Sequence, residues 1–195
     1  MGTREILEAV KRGELSVEEA ERKLQLLALE EVENIAKLDV GLWARRGIPE
    51  VILGDVKEVD DLAEIASRML ASTGRALISR IDQAKAELVL ERVEPSGYRY
   101  ERVARMLVLY GEGYVPRRTG GKVAIICGGT ADLPVAEEAR VMAEEMGCEV
   151  RVWPDAGVAA LHRAIRAVKE AVEWGADVVI VAAGREAALA SVVAS

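Results

Sequence analysis

The sequence predicts an α/β fold in which a doubly wound parallel sheet follows a smaller α+β domain. After residue 119, strand-like apolar runs alternate regularly with amphipathic helix-like runs, whereas the earlier part has no such order. Regular alternation is typical of a parallel sheet with crossover helices. The segment VPRRTGG (115–121) has the proline, arginines and glycines of a linker. We therefore predict domains at 1–119 and 120–195.

The N-terminal domain is predicted to begin with two helices within residues 3–31. Ser16 followed by Glu19 is a capping-box pattern, and Leu24 and Leu27 continue an apolar stripe at helical spacing. A helix is also predicted over 60–72, where Leu62, Ile65 and Met69 share one side. Strands are predicted at 35–42, 49–54, 75–81 and 86–94, and at the apolar end of 98–113.

Three strand–helix units are predicted in the C-terminal domain. Its strands lie in KVAIICGG (122–129), CEVRVWPDAG (148–157) and DVVIVAAG (177–184), and each strand runs into a turn that contains glycine. In open parallel sheets, ligands bind in the crevice beyond the carboxyl ends of the strands. We therefore expect these turns to meet at one site.

The first turn has the residues of an anion site. Gly128 and Gly129 allow a tight turn and a close approach to a ligand, and the helix that follows starts with free N–H groups and a positive dipole end. Thr130 adds a hydroxyl. Asp132 either hydrogen-bonds a ribose hydroxyl or caps the helix. The turn is neither GxGxxG nor a Walker loop, which speaks against those nucleotide folds.

Composition excludes several functional classes. A net charge of −7 argues against a general nucleic-acid binder but not against a small anionic ligand. No apolar run is long enough to span a membrane, and the charged N-terminus is unlike an export signal. The two cysteines, Cys127 and Cys148, suit a reduced cytoplasm better than a disulfide framework.

Four segments resemble the LarB family: LDVGLWARRGIPEVILGDVK, CGGTADLPVAEEA, PDAGVAALHR and VAAGREAALASVV. The resemblance runs from about residue 36 to the end, and GTxDLPVAEEA and GVAxLHR are its most specific stretches. It implies a flavodoxin- or Rossmann-like catalytic domain similar to aminoimidazole ribonucleotide carboxylase (PurE). LarB proteins make the precursor of the nickel-pincer cofactor.

The resemblance implies a reaction on nicotinic acid adenine dinucleotide. Carbon dioxide or bicarbonate carboxylates the pyridinium ring, and hydrolysis of the phosphoanhydride releases AMP and pyridinium-3,5-dicarboxylate mononucleotide. The resemblance also implies a divalent ion for the hydrolysis, either magnesium or another metal, and no organic cofactor. Family members form homo-oligomers, commonly octamers, so a homo-oligomer is implied here as well. No nucleic acid or membrane partner is implied.

The resemblance also implies roles for individual residues. His162, Glu186 and Asp132 are implied to be catalytic, and no metal ligand is assigned. Without the resemblance, His162 would be a surface or capping residue and Glu186 an acid favoured by the helix dipole. The implied nucleotide-binding residues are Gly128, Gly129, Thr130, Asp132, Asp155, Gly157, Arg163, Gly184, Arg45 and Lys57.

The match has departures. The family's catalytic cysteine corresponds to neither Cys127 nor Cys148, so Cys127 is predicted to be a small core residue, the alternative being a reactive thiol. The chain stops within an apolar helix, and we expect it to be a fragment of a longer protein.

Two other functions stay open: carboxylation or carboxylate migration on aminoimidazole ribonucleotide, and non-catalytic nucleotide binding. Substitutions against the family pattern, which bear on turn geometry, stand at Leu42, Ala131, Ala160, Arg185, Ala187 and Ala190.

Overall fold

The computed structural model describes residues 3–27, 29–32, 36–39, 48–116, 118–184 and 188–195. We call residues up to 116 the N-terminal region and those from 118 the C-terminal region. The elements of the N-terminal region are α1 Thr3–Lys11, α2 Val17–Leu27, β1 Leu29–Val32, β2 Ala36–Asp39, β3 Val51–Leu53, α3 Val59–Thr73, β4 Arg75–Ser79, α4 Gln83–Val93, β5 Gly97–Glu101 and β6 Met106–Tyr110. Those of the C-terminal region are β7 Lys122–Cys127, α5 Leu133–Glu145, β8 Glu149–Trp153, a 3-10 turn Val158–Ala160, α6 Leu161–Trp174, β9 Val178–Ala182 and α7 Ala188–Ala194.

The described strands form three sheets. In the N-terminal region β1 and β2 make an antiparallel pair, and a mixed sheet has the order β3-β4-β6-β5. In that mixed sheet β3 and β4 are parallel, and β6 is antiparallel to both β4 and β5. The sheet of the C-terminal region has the order β8-β7-β9 and is parallel throughout. The predicted fold class, with its parallel sheet after a smaller α+β part, is confirmed.

The parallel sheet is doubly wound, because helices cover both of its faces. Successive residues of β7 point to opposite faces and contact different helices. Ile125 and Cys127 pack with Ala136 of α5 on one face. Ile126 packs with Ala164 of α6 and Leu189 of α7 on the other face. Alternate burial on two faces explains why β7 is a continuous apolar run.

The predicted helical pair is partly wrong. The capping box is present, with the Glu19 N–H donating to Ser16 Oγ (3.1 Å) and the Ser16 N–H donating to Glu19 Oε2 (3.0 Å). The second helix ends at Leu27, however, and residues 29–32 pair with β2. Strand pairing therefore satisfies the backbone groups that a longer helix would have used.

The strand predicted over 86–94 is wrong, because this segment is helix α4. Its buried and half-buried apolar residues Ala86, Val89, Leu90 and Val93 follow the helical spacing i, i+3, i+4, i+7. Asp82 caps the helix by accepting a hydrogen bond from the Lys85 N–H at 2.8 Å. The other predicted strands of this region, 35–42, 49–54 and 75–81, correspond to β2, β3 and β4, although 35 and 40–42 lie outside the described residues. The predicted strand at the apolar end of 98–113 is β6, and β5 begins just before this segment, at Gly97.

Helix α5 lies between the mixed sheet and the parallel sheet. One face of the mixed sheet packs against α3 and α4 through residues such as Ile65, Ile78 and Val89. The other face carries Leu77 and Val108, which pack against Val141 of α5. Because α5 also covers the parallel sheet, it joins the two regions. Within the described parts of the chain, no helix has the length and apolarity to cross a membrane.

A polar cluster, formed by Arg75, Arg99, Tyr110 and Glu145, fixes the C-terminal end of α5 to the mixed sheet. The Tyr110 hydroxyl donates to Glu145 Oε1 at 2.7 Å, and Arg99 Nη2 lies 3.2 Å from the same oxygen. Arg75 Nη1 donates to the Glu145 backbone carbonyl and lies 3.4 Å from Oε2. Arg75 and Glu145 are both buried, so each needs the other's charge. Burial, followed by the bond to Glu145, raises the pKa of Tyr110.

Candidate active site

The turns that follow β7, β8 and β9 meet at the carboxyl edge of the parallel sheet, as predicted. The Gly128 N–H donates to the Ala182 carbonyl at 2.9 Å, which joins the first turn to the end of β9. The Ala156 N–H donates to the Cys127 carbonyl at 2.9 Å, which joins the second turn to the end of β7. These backbone bonds hold the three turns around one crevice.

The carboxylate of Asp132 lies inside this crevice. Its Oδ2 accepts a hydrogen bond from the Gly129 N–H at 3.1 Å. A Cβ built on Gly128 would lie 3.0 Å from Oδ2, and one built on Gly184 would lie 3.1 Å from Oδ1. The side chain therefore turns back between the first and third turns. Asp132 occupies the N-cap position of α5, as the alternative predicted, but its side chain makes no capping hydrogen bond to the helix.

Glycine is required where the first two turns touch. A Cβ on Gly157 would lie 2.8 Å from the Gly128 carbonyl oxygen, a separation that real Cβ contacts do not show. The obstacle is backbone, so no side chain can rotate out of the way. Gly157 has an ordinary φ of −61°, and its role is therefore close approach of two turns rather than unusual backbone geometry.

The backbone at the start of α5 suits an anion. Within the described residues, the amides of Thr130 and Ala131 have no hydrogen-bond acceptor. Both residues are exposed, and they precede a helix whose dipole places partial positive charge at this end. Free amides and a helix N-terminus together favour a phosphate or carboxylate group.

The second turn brings a charged pair to the same edge. Asp155 is exposed and adopts a left-handed φ of 55°, which is uncommon for a residue other than glycine. Its carboxylate pairs with Arg163 in the first turn of α6. His162, the neighbour of Arg163, is exposed and forms no hydrogen bond with a described residue. The structure thus places Asp155, Arg163 and His162 at the edge that carries the crevice.

The other predicted site residues lie on the mixed sheet or outside the described residues. Lys57 is in the turn after β3 of the mixed sheet, and its carbonyl accepts a hydrogen bond from Lys85 Nζ. Glu186 and Arg45 lie outside the described residues. Their proposed catalytic and binding roles stay predictions.

Cys127 is a core residue, as predicted. Its side chain is fully buried, and Sγ donates to the Gly129 carbonyl at 3.2 Å. Burial, with a smaller contribution from the negative charge of Asp132, raises the pKa of the thiol. A raised pKa favours the protonated thiol, and burial keeps Sγ away from reagents in solvent, as expected of a core cysteine.

We expect thiol reagents to discriminate between the two cysteines. Cys148 is half-buried, so Ellman's reagent should modify it at least about tenfold faster than Cys127 in the folded protein. The Cys148→Ser variant should lose the fast phase, and unfolding in urea should make both thiols of the parent protein react. A fast phase that persists in Cys148→Ser would contradict the assignment of Cys127 to the core.

The described residues offer limited ligands for the implied magnesium ion. No group of three or more His, Cys, Asp or Glu side chains among them is arranged to hold a metal. Magnesium at phosphate sites usually needs only one or two protein carboxylates, with substrate phosphates and water completing the shell. Asp132 and Asp155 are carboxylates at the crevice edge that fit this requirement.

Sequence reasoning missed the acidic face of α5. The residues EE (137–138) and EE (144–145) gave the pattern of an ordinary apolar/acidic helix. In the structure they contact the mixed sheet: Ser79 Oγ donates to Glu138, and Arg99 lies 2.9 Å from Glu144. Two acidic pairs separated by seven residues on one helix were the available signal.

Two family models match separate parts of the chain. The LarB/PurE-like N-terminal domain model matches residues 29–111. The AIR carboxylase model matches residues 122–195. An uncharacterised protein of Methanocaldococcus jannaschii is 34% identical over 195 residues, which cover 98% of this chain and 76% of that protein.

Proposed function

This chain belongs to the LarB-like family of carboxylases with a PurE-like domain, and from that premise we propose that it carboxylates and hydrolyses nicotinic acid adenine dinucleotide. The observation that carries the proposal is the crevice formed by the three turns, with the Asp132 carboxylate inside. Beside it are the amides of Thr130 and Ala131, which have no acceptor among the described residues. A pyrophosphate suits those amides, because they lie at the positive end of α5. We further propose a cytoplasmic homo-oligomer.

The proposed reaction has two parts. In the first, a carbon–carbon bond forms between carbon dioxide and the pyridinium ring, and the ring carbon loses its proton. In the second, the oxygen of a water molecule attacks phosphorus, the phosphoanhydride P–O bond breaks, and AMP leaves. Magnesium, when bound, would neutralise phosphate charge during the second part.

The residues of the crevice have distinct tasks in this proposal. The amides of Thr130 and Ala131 bind phosphate, and Gly128 and Gly129 let it approach the backbone closely. Gly157 lets the second turn approach the first, and Gly184 leaves room for the Asp132 carboxylate. Asp132 is held by Gly129 and accepts a proton or a ribose hydroxyl hydrogen bond. His162 and Glu186 are proposed to move protons, as the resemblance implies.

A second candidate is carboxylation or carboxylate migration on aminoimidazole ribonucleotide. The match of residues 122–195 to the AIR carboxylase model favours it. The match of residues 29–111 to the LarB/PurE-like N-terminal domain favours the dinucleotide. Competition between the two nucleotides for the crevice would separate the candidates.

The proposal is tested by mixing the protein with nicotinic acid adenine dinucleotide, bicarbonate and magnesium. Mass spectrometry should detect AMP and pyridinium-3,5-dicarboxylate mononucleotide. AMP alone would mean hydrolysis without carboxylation. If neither product forms but the dinucleotide raises the melting temperature, the chain is a binding module and the enzymatic proposal is wrong.

Asp132→Asn should lower the rate of product formation by about 10²–10⁴-fold, the usual contribution of one general acid or base. Asparagine keeps an oxygen for the Gly129 N–H, so the melting temperature should change little. Asp177→Asn is the matched control, since Asp177 accepts the Lys122 N–H at 2.8 Å at the opposite edge of the same sheet. Equal rates in the two variants would exclude a catalytic role for Asp132.

A further inference from the structure

The mixed sheet has a fixed direction relative to α5. Arg75, at the start of β4, contacts Glu145 at the end of α5. Ser79, at the end of β4, donates to Glu138 near the start of α5. Strand β4 therefore runs antiparallel to α5.

Strand β5 agrees with this direction. Arg99 in its middle contacts Glu144, and Glu101 at its end lies 3.2 Å from Arg140. The contacts thus move toward the N-terminus of α5 as both strands proceed. Glu138 is five residues, or about 7.5 Å along the axis, from the first residue of α5 at 1.5 Å per residue. The carboxyl ends of β3, β4 and β5 therefore lie at the same end of the molecule as the glycine crevice, whereas β6 begins there.

Three arginines occupy this end of the mixed sheet. Arg80 follows β4, and Arg102 and Arg105 lie in the turn between β5 and β6. We call these residues the basic rim. All are exposed. Arg80 Nη1 lies 3.6 Å from Asp55 Oδ2, and this ion pair is accessible to solvent. Neither Arg102 nor Arg105 forms an ion pair with a described residue. The rim gathers positive charge in a chain whose net charge is −7.

The backbone of the rim is strained. Arg80 has φ 55° and Arg105 has φ 50°, both in the left-handed region that side chains with a Cβ disfavour. The two segments are joined where the Ile81 N–H donates to the Arg105 carbonyl at 3.0 Å. Strain of this kind tends to occur at ligand sites, where the surrounding structure maintains it.

Neighbouring contacts hold Arg80 in place. The Gly54 N–H donates to the Ser79 carbonyl at 2.8 Å, and Lys85 Nζ donates to the Gly54 carbonyl at 2.7 Å. The loops after β3 and β4 are thereby fixed to each other. Asp55, Glu58, Asp82 and Glu101 are acids of this end, and among the described residues only Asp55 forms an ion pair with a rim arginine. Glu101 pairs instead with Arg99 and Arg140. An exposed pair of this kind is weak and can be exchanged for a phosphate.

We propose that the basic rim is the second wall of the crevice and that it binds the phosphate groups of an anionic nucleotide. The identity of that nucleotide rests on the proposed function, whereas the charge and placement of the rim do not. The glycine turns supply backbone amides from one side, and the rim supplies guanidinium groups from the other. Guanidinium is suited to this task, since it donates two parallel hydrogen bonds to a phosphate.

Titration calorimetry with two probes tests the proposal: nicotinic acid adenine dinucleotide and inorganic pyrophosphate. Arg80→Gln should weaken the binding of both probes about tenfold, which corresponds to about 1.4 kcal/mol. Arg151→Gln is the matched control. Arg151 is 54% exposed, against 58% for Arg80, and lies on β8 away from the strand end. This control should bind both probes like the parent protein.

The outcomes separate the rim from the proposed function. If pyrophosphate binding is lost in Arg80→Gln while the dinucleotide is never turned over, the rim stands and the proposed function fails. If the parent protein binds either probe and Arg80→Gln binds it equally well, the rim is not a phosphate site. If the parent protein binds neither probe, the rim proposal also fails.

A second variant covers the case in which Arg80→Gln unfolds. Arg102 is outside the positive-φ residues of the described chain, so Arg102→Gln adds no backbone strain. It should weaken pyrophosphate binding in the same direction with an unchanged melting temperature. Unaltered binding in Arg102→Gln would then overturn the proposal.

Discussion

Replacing Glu145 with alanine is expected to lower the free energy of unfolding by about 3–5 kcal/mol, the usual cost of breaking a buried ion pair from one side. The substitution removes the acceptor of the Tyr110 hydroxyl and the counter-charge next to Arg75. Arg75 is itself buried, so its charge would remain in a medium of low polarity. Urea denaturation followed by circular dichroism measures the change.

Glu144→Ala is the matched control for this effect. Glu144 is the neighbouring acid on α5 and contacts Arg99 and Arg140, but 29% of its side chain is exposed, against 5% for Glu145. Exposed pairs contribute about 0–1 kcal/mol each, so Glu144→Ala should cost clearly less. If the two variants lose the same stability, burial of the Glu145 pair does not explain its contribution.

Replacing Gly157 with alanine is expected to abolish most ligand binding at the crevice. The new Cβ would lie 2.8 Å from the Gly128 carbonyl oxygen, so the first and second turns must move apart. Overpacking of this kind costs about 1–3 kcal/mol of stability. Displacement of catalytic groups by as little as about 1 Å can cost about 10²-fold in rate. Dinucleotide affinity by calorimetry and product formation by mass spectrometry both report the loss.

Gly121→Ala is the control for Gly157→Ala. Gly121 precedes β7 at the opposite edge of the same sheet, and a Cβ there would meet Cys148 Sγ at an ordinary 3.7 Å. Neither glycine has a positive φ, so both substitutions are free of that source of strain. If Gly157→Ala binds the dinucleotide as tightly as Gly121→Ala, the contact between the two turns is not needed for the site.

The C-terminal region was the more predictable part of the fold, because its pattern is local. Each apolar run there has the length of a strand and leads into a turn that contains glycine, and each amphipathic run has helical spacing. The strand predicted at 86–94 is wrong, because the residue types of this segment favour a strand whereas the spacing of its apolar residues is helical. Val89, Leu90 and Val93 suit a strand by residue type, but with Ala86 their positions form one helical face. The predicted end of α2 is wrong, because β1 pairs with β2. This pairing is a tertiary contact, and helix propensity does not include it.

In the candidate site, too, the features that follow from local sequence were predictable and those that depend on tertiary packing were not. The convergence of the three turns was predictable because parallel strands bring their carboxyl ends to one edge. The position of the Asp132 carboxylate was left open, since a cap and a site residue have the same sequence pattern. The basic rim could not be predicted, because strand pairing brings Arg80, Arg102 and Arg105 to one end of the mixed sheet and only the packing of α5 orients that sheet. The sequence around Arg80 and Arg105 also gives no signal that these residues adopt a left-handed backbone conformation.

The position of α5 between two sheets also limits how this protein can change over generations. Of its residues, only Pro134 and Val135 are exposed, so almost every substitution on the helix alters a contact with one sheet or the other. A neutral change at Val141 must suit the mixed sheet, and one at Ala136 must suit the parallel sheet. Because the same helix begins at the crevice, drift in either sheet is transmitted to the Asp132 turn. We expect this helix to accept mutations mainly in compensated pairs, and the two regions to be inherited together.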